Sequence, residues 1–501
     1  MRSTVSRTGV LIAILALILA ACGGTGGESQ EPGDSAAASE GGPAGSEAAS
    51  GEPVEITWFC CLGAGDDVET QVPTEEAVVA AFNEEHDDIE LIFEMIDYDD
   101  AYDALAVKIA GGDPPDILGP VGGTGSAAFE GEWLDLTELI ESSDHDLSQY
   151  SEGSVEFYQV EGQGQVGLPF AIFPSMLFYQ RSMFDEAGLE YPPQEYGEPY
   201  VLDGEEVEWN FDTLREVAKR LTVDINGNDA TSADFDPEQV EQYGYDPIFQ
   251  DARAIGSYFG AGSLVADDGV TAQVPDPWRE AWTWHYENIW EEHITMDLAL
   301  RDAPEFGNGN PFNALRAAMA LSHTWYTCCA NAVDEAGDPI DPDWDIAVVP
   351  SNDGVTTANF NADTFRIWGE TEHPEEAFTV LEYLIGDASQ DLLGIYGGMP
   401  ARTADQDQFF ANLDERWTQG VNWQVARDGV QYADNPSFEA WMPNYQEAFA
   451  SIVTWGDTMR TDGSLDIDAA IDDFEAELQA IFEAPPSTPA PSAEPSASAD
   501  E

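Results

Sequence analysis

Apolar and polar positions alternate through Glu55-Ile-Thr-Trp-Phe59, which predicts a strand with one face turned inward. Thr74, followed by Glu75 and Glu76 and then by Val78, Val79 and Phe82, predicts a capped amphipathic helix. Ile89–Ile96 predicts a second strand and Ala101–Ala110 a second helix, stopped by Gly111-Gly112-Asp113-Pro114-Pro115. Asp116-Ile-Leu118 predicts a short third strand. Strand–helix–strand–helix–strand implies parallel pairing with right-handed crossovers, an α/β arrangement. Ligands in such sheets sit beyond the carboxyl ends of the strands, so the loops Cys60–Asp67, Asp97–Asp100 and Gly119–Gly125 are the first to inspect.

Further along, Phe211–Leu221 places Phe211, Leu214, Val217, Ala218 and Leu221 on one helical face. Asp345–Pro350 predicts another strand. The apolar run with no alternation, Val10–Ala21, follows Arg2 and Arg7 and is too short to span a hydrocarbon core of about 30 Å. It ends in Leu19-Ala20-Ala21-Cys22, which resembles a lipoprotein cleavage box. Residues 1–21 are therefore expected to be a signal peptide, and Cys22 the lipidated first residue of the mature chain. Residues 22–53 carry no large apolar side chain and are expected to form a flexible tether. The Pro/Ser/Ala-rich stretch 484–501 is expected to be a disordered tail.

Composition alters this picture in one respect. The 501 residues include 98 acids against 16 basic residues, a formal charge of −82, and the only lysines are Lys108 and Lys219. Nucleic acid and anionic lipid head groups are poor partners on electrostatic grounds. An acidic, lysine-poor surface also suits salty surroundings, where ions screen self-repulsion. The same acidity empties paired carboxylates of meaning, since Asp66-Asp67, Glu75-Glu76, Asp99-Asp100 and Glu291-Glu292 match an acid–base template by accident.

The order of short segments resembles the family-1 extracellular solute-binding proteins, the maltose-binding-protein-like receptors of ABC-type sugar importers. The matching stretches are Gly167-Leu-Pro169, Leu177-Phe-Tyr-Gln-Arg181, Phe184–Leu189 with Pro192-Pro193, and Trp209–Leu214. They continue with Ala317-Ala-Met319, Thr324-Trp325, Val348-Val-Pro350, His373–Phe378 and Gly397–Arg402. The resemblance spans residues 54–483. It implies a type II, two-lobe periplasmic-binding-protein-like α/β fold, each lobe a mostly parallel sheet flanked by helices, with the ligand cleft at the hinge. Lobe 1 would take residues 54–168 plus 350–390, and lobe 2 residues 169–349 plus 391–483, with crossings near Leu168–Phe170 and Pro350. The acid content, the vicinal cysteines and an insertion around Glu195–Glu208 depart from the family pattern.

The resemblance also places candidate ligand contacts at the cleft, where aromatic faces meet sugar C–H patches and polar side chains meet hydroxyls. Phe59, Asp66 and Asp67 follow the first strand, Asp99 the second, and Phe173 the Leu-Pro crossing. Trp325 stands at a cleft-aromatic position, Asn361 and Asp363 in a loop before Phe365, and Trp441 late in the chain. Besides Cys22 there are two adjacent pairs, Cys60-Cys61 and Cys328-Cys329, both in these cleft segments. Cross-pairing would restrict the hinge that the family needs, so two vicinal disulfides are the expectation, with cross-pairing and free thiols as alternatives.

No zinc or calcium site is expected: adjacent cysteines span a tetrahedron poorly, and Asp224-Ile-Asn-Gly-Asn228 puts its glycine at the wrong place for a calcium loop. There is no phosphate loop, H-E-x-x-H or G-x-S-x-G motif. The expected protein is a monomeric, non-enzymatic receptor without cofactor, lipid-anchored outside the cytoplasm, that delivers an oligosaccharide or glycoside to permease transmembrane subunits. The competing classes are a surface-anchored carbohydrate-active enzyme and a receptor for a peptide, polyamine or cation.

Overall fold

A computed structural model describes residues 53–65, 71–96, 98–122, 132–150, 163–301, 310–331, 341–434 and 442–485, with a few isolated positions between these segments. The expected signal peptide, Cys22, the expected tether up to residue 52 and the expected tail from residue 486 lie outside the described residues, as do Asp66, Asp67 and Trp441.

Strand β1 (Val54–Cys60) leads to helix α1 (Val72–Glu85), strand β2 (Ile89–Met95), helix α2 (Tyr98–Gly111) and strand β3 (Ile117–Val121). β1 pairs in parallel with β2 along its whole length, Val54 opposite Ile89 to Cys60 opposite Met95, and with β3 through Trp58 and Phe59. The expected cap at Thr74 is displaced. α1 begins at Val72 with Pro73 in its first turn, and Gln71 at the cap makes no side-chain capping bond. Proline is preset for that position and lacks the N–H that a cap would serve, which leaves Thr74 inside the helix.

After helix α3 (Thr137–Ser143) the chain enters β4 (Ala171–Gln180), ten residues that are all buried. Helices α4 (Arg181–Ala187), α5 (Phe211–Leu221), α6 (Ala252–Ser257) and α7 (Asp276–Trp290) follow. In α5 the buried residues are Phe211, Leu214, Val217, Ala218 and Leu221, and the Asn210 side chain accepts from Thr213 N at 2.9 Å. The Asp224 loop is a turn closed on itself. Its carboxylate accepts from the amides of Asn226, Asn228 and Asp236, bonds that more than offset burial and hold its pKa below the usual value.

Strands β5 (Met319–His323) and β6 (Trp344–Ala347), and then β7 (Phe360–Ile367), complete the main sheet. Its order is β5-β4-β7-β3-β1-β2, with β6 and the short β8 (Met399–Pro400) also paired to β4. β4 is antiparallel to β5, β6, β7 and β8, so among the described strands parallel pairing in this sheet is confined to β1–β2 and β1–β3. Helices α8 (Pro374–Ile385), α9 (Ser389–Tyr396), α10 (Gln406–Arg416), α11 (Gln424–Gly429), α12 (Tyr445–Thr461) and α13 (Ile467–Glu483) finish the chain. Among the described residues no helix is long and apolar enough to cross a membrane.

Two large cores divide these elements. One is built on Ile56, Trp58, Phe82, Leu91, Ile117, Phe365, Phe378, Leu381 and Leu393. The other is larger and holds Leu177, Phe178, Leu214, Trp278, Trp282, Trp344, Trp455 and Phe474. β4 gives Ala171 and Phe173 to the first core and Ile172 and Met176–Tyr179 to the second, while β7 gives Phe360 and Ala362 to the second and Phe365 and Ile367 to the first. These two strands run from one core into the other. A third, smaller cluster (Phe59, Leu62, Leu118, Trp133, Trp368) covers the opposite face of β1 and β3.

Candidate functional site

The place where β4 and β7 pass between the cores gathers several of the expected contacts. Asn361 pairs with Phe173 and Asp363 with Ala171 in the antiparallel register. Asn361 and Asp363 thus belong to a strand, where the sequence pattern suggests a loop, because both find backbone partners on β4. Alternation along β7 turns Phe360 and Ala362 into the larger core and puts Asn361 and Asp363 on the other side.

Each member of that polar stripe has a different environment. The Asp363 carboxylate is buried and accepts from Ala64 N at 2.5 Å, fastening the loop after β1. A Cβ on Gly63 would come within 2.6 Å of Asp363 Oδ2, and one on Gly122 within 3.0 Å of Oδ1, so two glycines make room for this acid. The same loop is zipped to the end of β3, with Leu62 N donating to Pro120 O and Gly122 N to Leu62 O. Burial pushes the Asp363 carboxyl up to about 6, and the Ala64 amide only partly offsets it. The Asn361 side chain is half-buried, and its Oδ1 has no hydrogen-bond partner among the described residues.

Asn359 carries the stripe into the larger core. Its Nδ2 donates to Ser257 Oγ (2.9 Å) and Asp434 Oδ2 (3.2 Å), which leaves Oδ1 to accept from His323 Nε2 (2.7 Å). Asp434 also accepts from Phe360 N (2.8 Å) and pairs with the buried Arg253 (3.2 Å). Burial pushes the His323 imidazole down to about 4, so it is neutral near pH 7 with its proton on Nε2. The ring stacks on Trp325, with centroids 5.7 Å apart and planes at 20°, and Phe249 meets Trp325 edge-on. Trp325 is half-buried and packs against both large cores. It stands in the 3-10 turn Thr324–Cys328 that follows β5.

The remaining expected contacts part company with this cluster. Phe59 is fully buried with Leu118, Trp133 and Trp368, and Phe173 is a core residue at 1 % exposure. Asp99 lies in α2, with its side chain outside the described residues. Glu75, in the first turn of α1, is fully buried and accepts from Tyr396 Oη at 2.6 Å. The spacing of Glu75, Val78 and Phe82, all buried, was the available signal for it. Cys60 and Cys61 are enclosed beside it, with their sulfurs paired to each other, and Gly65 closes over them. Cys328 and Cys329 likewise pair as neighbours, but Cys328 is half-buried and Cys329 exposed. The His323–Asn359–Asp434–Arg253 chain had no local signature, since its members are far apart in sequence.

Comparison with known proteins adds to this geometry. Residues 66–391, well over half of the chain, match the bacterial extracellular solute-binding protein family. No curated protein is similar enough in sequence to match. Among solved structures, an ABC substrate-binding protein from Listeria monocytogenes in complex with cycloalternan is 18% identical, with a TM-score of 0.64 over 85% of this chain and 98% of that one. A solute-binding protein from Thermotoga lettingae bound with α-D-tagatose is 19% identical, with a TM-score of 0.62 over 86% and 100%. Maltose-bound MalE3 from T. maritima is 18% identical, with a TM-score of 0.60 over 85% and 100%. At these identities the likeness concerns the fold, which is the two-lobe α/β fold of periplasmic-binding type.

Proposed function

The chain belongs to the bacterial extracellular solute-binding proteins, and from that premise we propose that it captures a carbohydrate between two lobes and hands it to an ABC-type permease. Its family consists of receptors and not of enzymes. The observation that carries the proposal is the crossing: β4 and β7 join the two cores, and the half-buried Trp325 packs on both. A flat aromatic face packed on both cores, together with the unpartnered Asn361 Oδ1 on the crossing strand β7, suits a ring that offers C–H on its faces and hydroxyls at its rim. The saccharides held by similar folds support that choice of solute.

In this reading lobe 1 is built on the smaller of the two large cores and lobe 2 on the larger. The chain passes between them at Ala171–Pro174, at Phe360–Thr364 and again where α9 leads into β8. Ligand bridging the lobes stabilises the closed form by its preferential contacts there. Trp325 and Asn361 are the primary contacts, and Asp363 holds the loop after β1 in place. Phe59 and Phe173 support the site from the cores behind it, and Asp66, Asp67, Asp99 and Trp441 are further proposed ligand contacts. Both cysteine pairs are vicinal disulfides. Cys22 carries the lipid that keeps this monomeric receptor at the membrane near its permease.

Isothermal titration with mono- and oligosaccharides tests the reading, with the products analysed afterwards. Saturable binding without turnover is the expected result, and Trp325→Ala should weaken it roughly 10- to 100-fold while the protein still folds. Bond cleavage would make the protein a carbohydrate-active enzyme instead. Binding only of a peptide, polyamine or cation would replace the solute, and unchanged affinity in the variant would remove Trp325 from the site.

A further inference from the structure

The Cys328-Cys329 pair differs from Cys60-Cys61 in what surrounds it. The first pair is enclosed in the smaller of the two large cores, whereas Cys328 is half-buried and Cys329 exposed. In a 3-10 helix side chains three residues apart eclipse one another, and the axial rise between them is about 6 Å. Trp325 and Cys328 are three apart within the turn Thr324–Cys328, so Cys328 lies on the Trp325 face, one turn further on, with Cys329 next to it. The backbone there is held from two sides. Arg416 donates to Cys328 O, and Asn313 Nδ2 donates to Cys329 O at 2.7 Å.

Arg416 is itself unusual for this chain. It is exposed, at the end of α10, and among the described residues its guanidinium pairs with no carboxylate, in a protein with 98 acids. One of its donors is engaged by Cys328 O, and its plane lies over Trp417 with 5.1 Å to the ring centroid. Other donors of the five that a guanidinium carries remain for a ligand. A bonded sulfur pair has no O–H or N–H to hydrate and offers a polarizable apolar surface. An apolar surface beside free N–H donors is what a sugar ring requires, with C–H on the face and hydroxyl oxygens at the edge.

We propose that Cys328, Cys329 and Arg416 form a second saccharide subsite next to Trp325, so that the preferred ligand has at least two rings. The proposal rests on the carbohydrate-receptor reading and adds to it the length of the ligand and the groups that sense it. Trp325 holds the first ring. The sulfur pair carries the apolar face of the next, and Arg416 donates to its hydroxyls.

The test is calorimetric titration of the full chain with glucose, maltose and maltotriose, and in parallel with cellobiose and cellotriose. Wild type is expected to bind a di- or trisaccharide of one series at least tenfold more tightly than the monosaccharide. Cys328→Ala/Cys329→Ala should lower that ratio about tenfold, and so should Arg416→Gln, which leaves the cysteines in place should the double variant fold poorly. Trp325→Ala should weaken short and long ligands alike and keep the ratio. Wild-type binding with no gain from length, or an unchanged ratio in both subsite variants, overturns the subsite and leaves the receptor reading standing. No binding of any saccharide by wild type overturns the carbohydrate reading and the subsite with it.

Discussion

Replacing Asp363 with Asn should make the protein more stable at neutral pH, and the size of the effect follows from the site. The carboxyl lies in a niche formed by Gly63, Gly122 and Ala64, and it accepts from the Ala64 amide. Burial moves its pKa from the ordinary 3.8 up to about 6. An acid with a raised folded-state pKa binds its proton more tightly in the folded than in the unfolded chain. Its contribution is therefore favourable while it is protonated, and stability falls as pH climbs from about 4 through about 6. Two pK units correspond to about 3 kcal/mol. Asparagine cannot titrate, yet it keeps a carbonyl oxygen for Ala64 N. Urea unfolding of both proteins at matched ionic strength, between pH 4 and pH 8, should show their difference moving about 3 kcal/mol in favour of the Asn variant. The difference cancels the titration of the other acids, which both proteins share. A difference that stays flat across this range would mean that water or a cation reaches the carboxylate, and the reasoning from burial would fail.

Three further outcomes follow from other parts of the fold. Asp434→Ala takes the carboxylate away from the buried Arg253 and from the amides of Asn359 and Phe360, and should cost about 3–5 kcal/mol in the same unfolding assay; a loss under 1 kcal/mol would show that the network is solvated. Tyr396→Phe removes a 2.6 Å bond to the buried Glu75 and should cost about 1.5–3 kcal/mol, read as a shift in the urea midpoint with no change in slope. Molar salt should raise the melting temperature, because the excess of acids repels itself across the surface; an equal melting temperature in low and molar salt would show that this repulsion does not limit stability.

The reach of the sequence follows the range of the forces involved. Alternation in β1 and β2 and the 3.6-residue period of α5 are local signals, and they located these elements and the buried face of α5, whereas β1 is buried on both faces from Trp58 onward. Glu75 and Asp363 went the other way. Glu75 reads as a helix-start acid and Asp363 as a cleft contact in a loop, yet Tyr396 and Ala64, more than 290 residues away in sequence, hold them inside. Phe59 and Phe173 match a cleft pattern in type and position, but their rings turn into cores. Which side of a strand faces ligand depends on the layer packed against it, and a one-residue register choice reverses it.

The sequence by itself determined the α/β class, the family resemblance, the extreme negative charge and the existence of two adjacent cysteine pairs, all of which are written in neighbouring residues. Only the tertiary structure decided that β4 and β7 thread both cores, that Trp325 stands between them with His323 behind it, and that one cysteine pair is enclosed while the other faces outward. Those facts depend on contacts between segments hundreds of residues apart, where burial and pairing of polar groups outweigh any local preference.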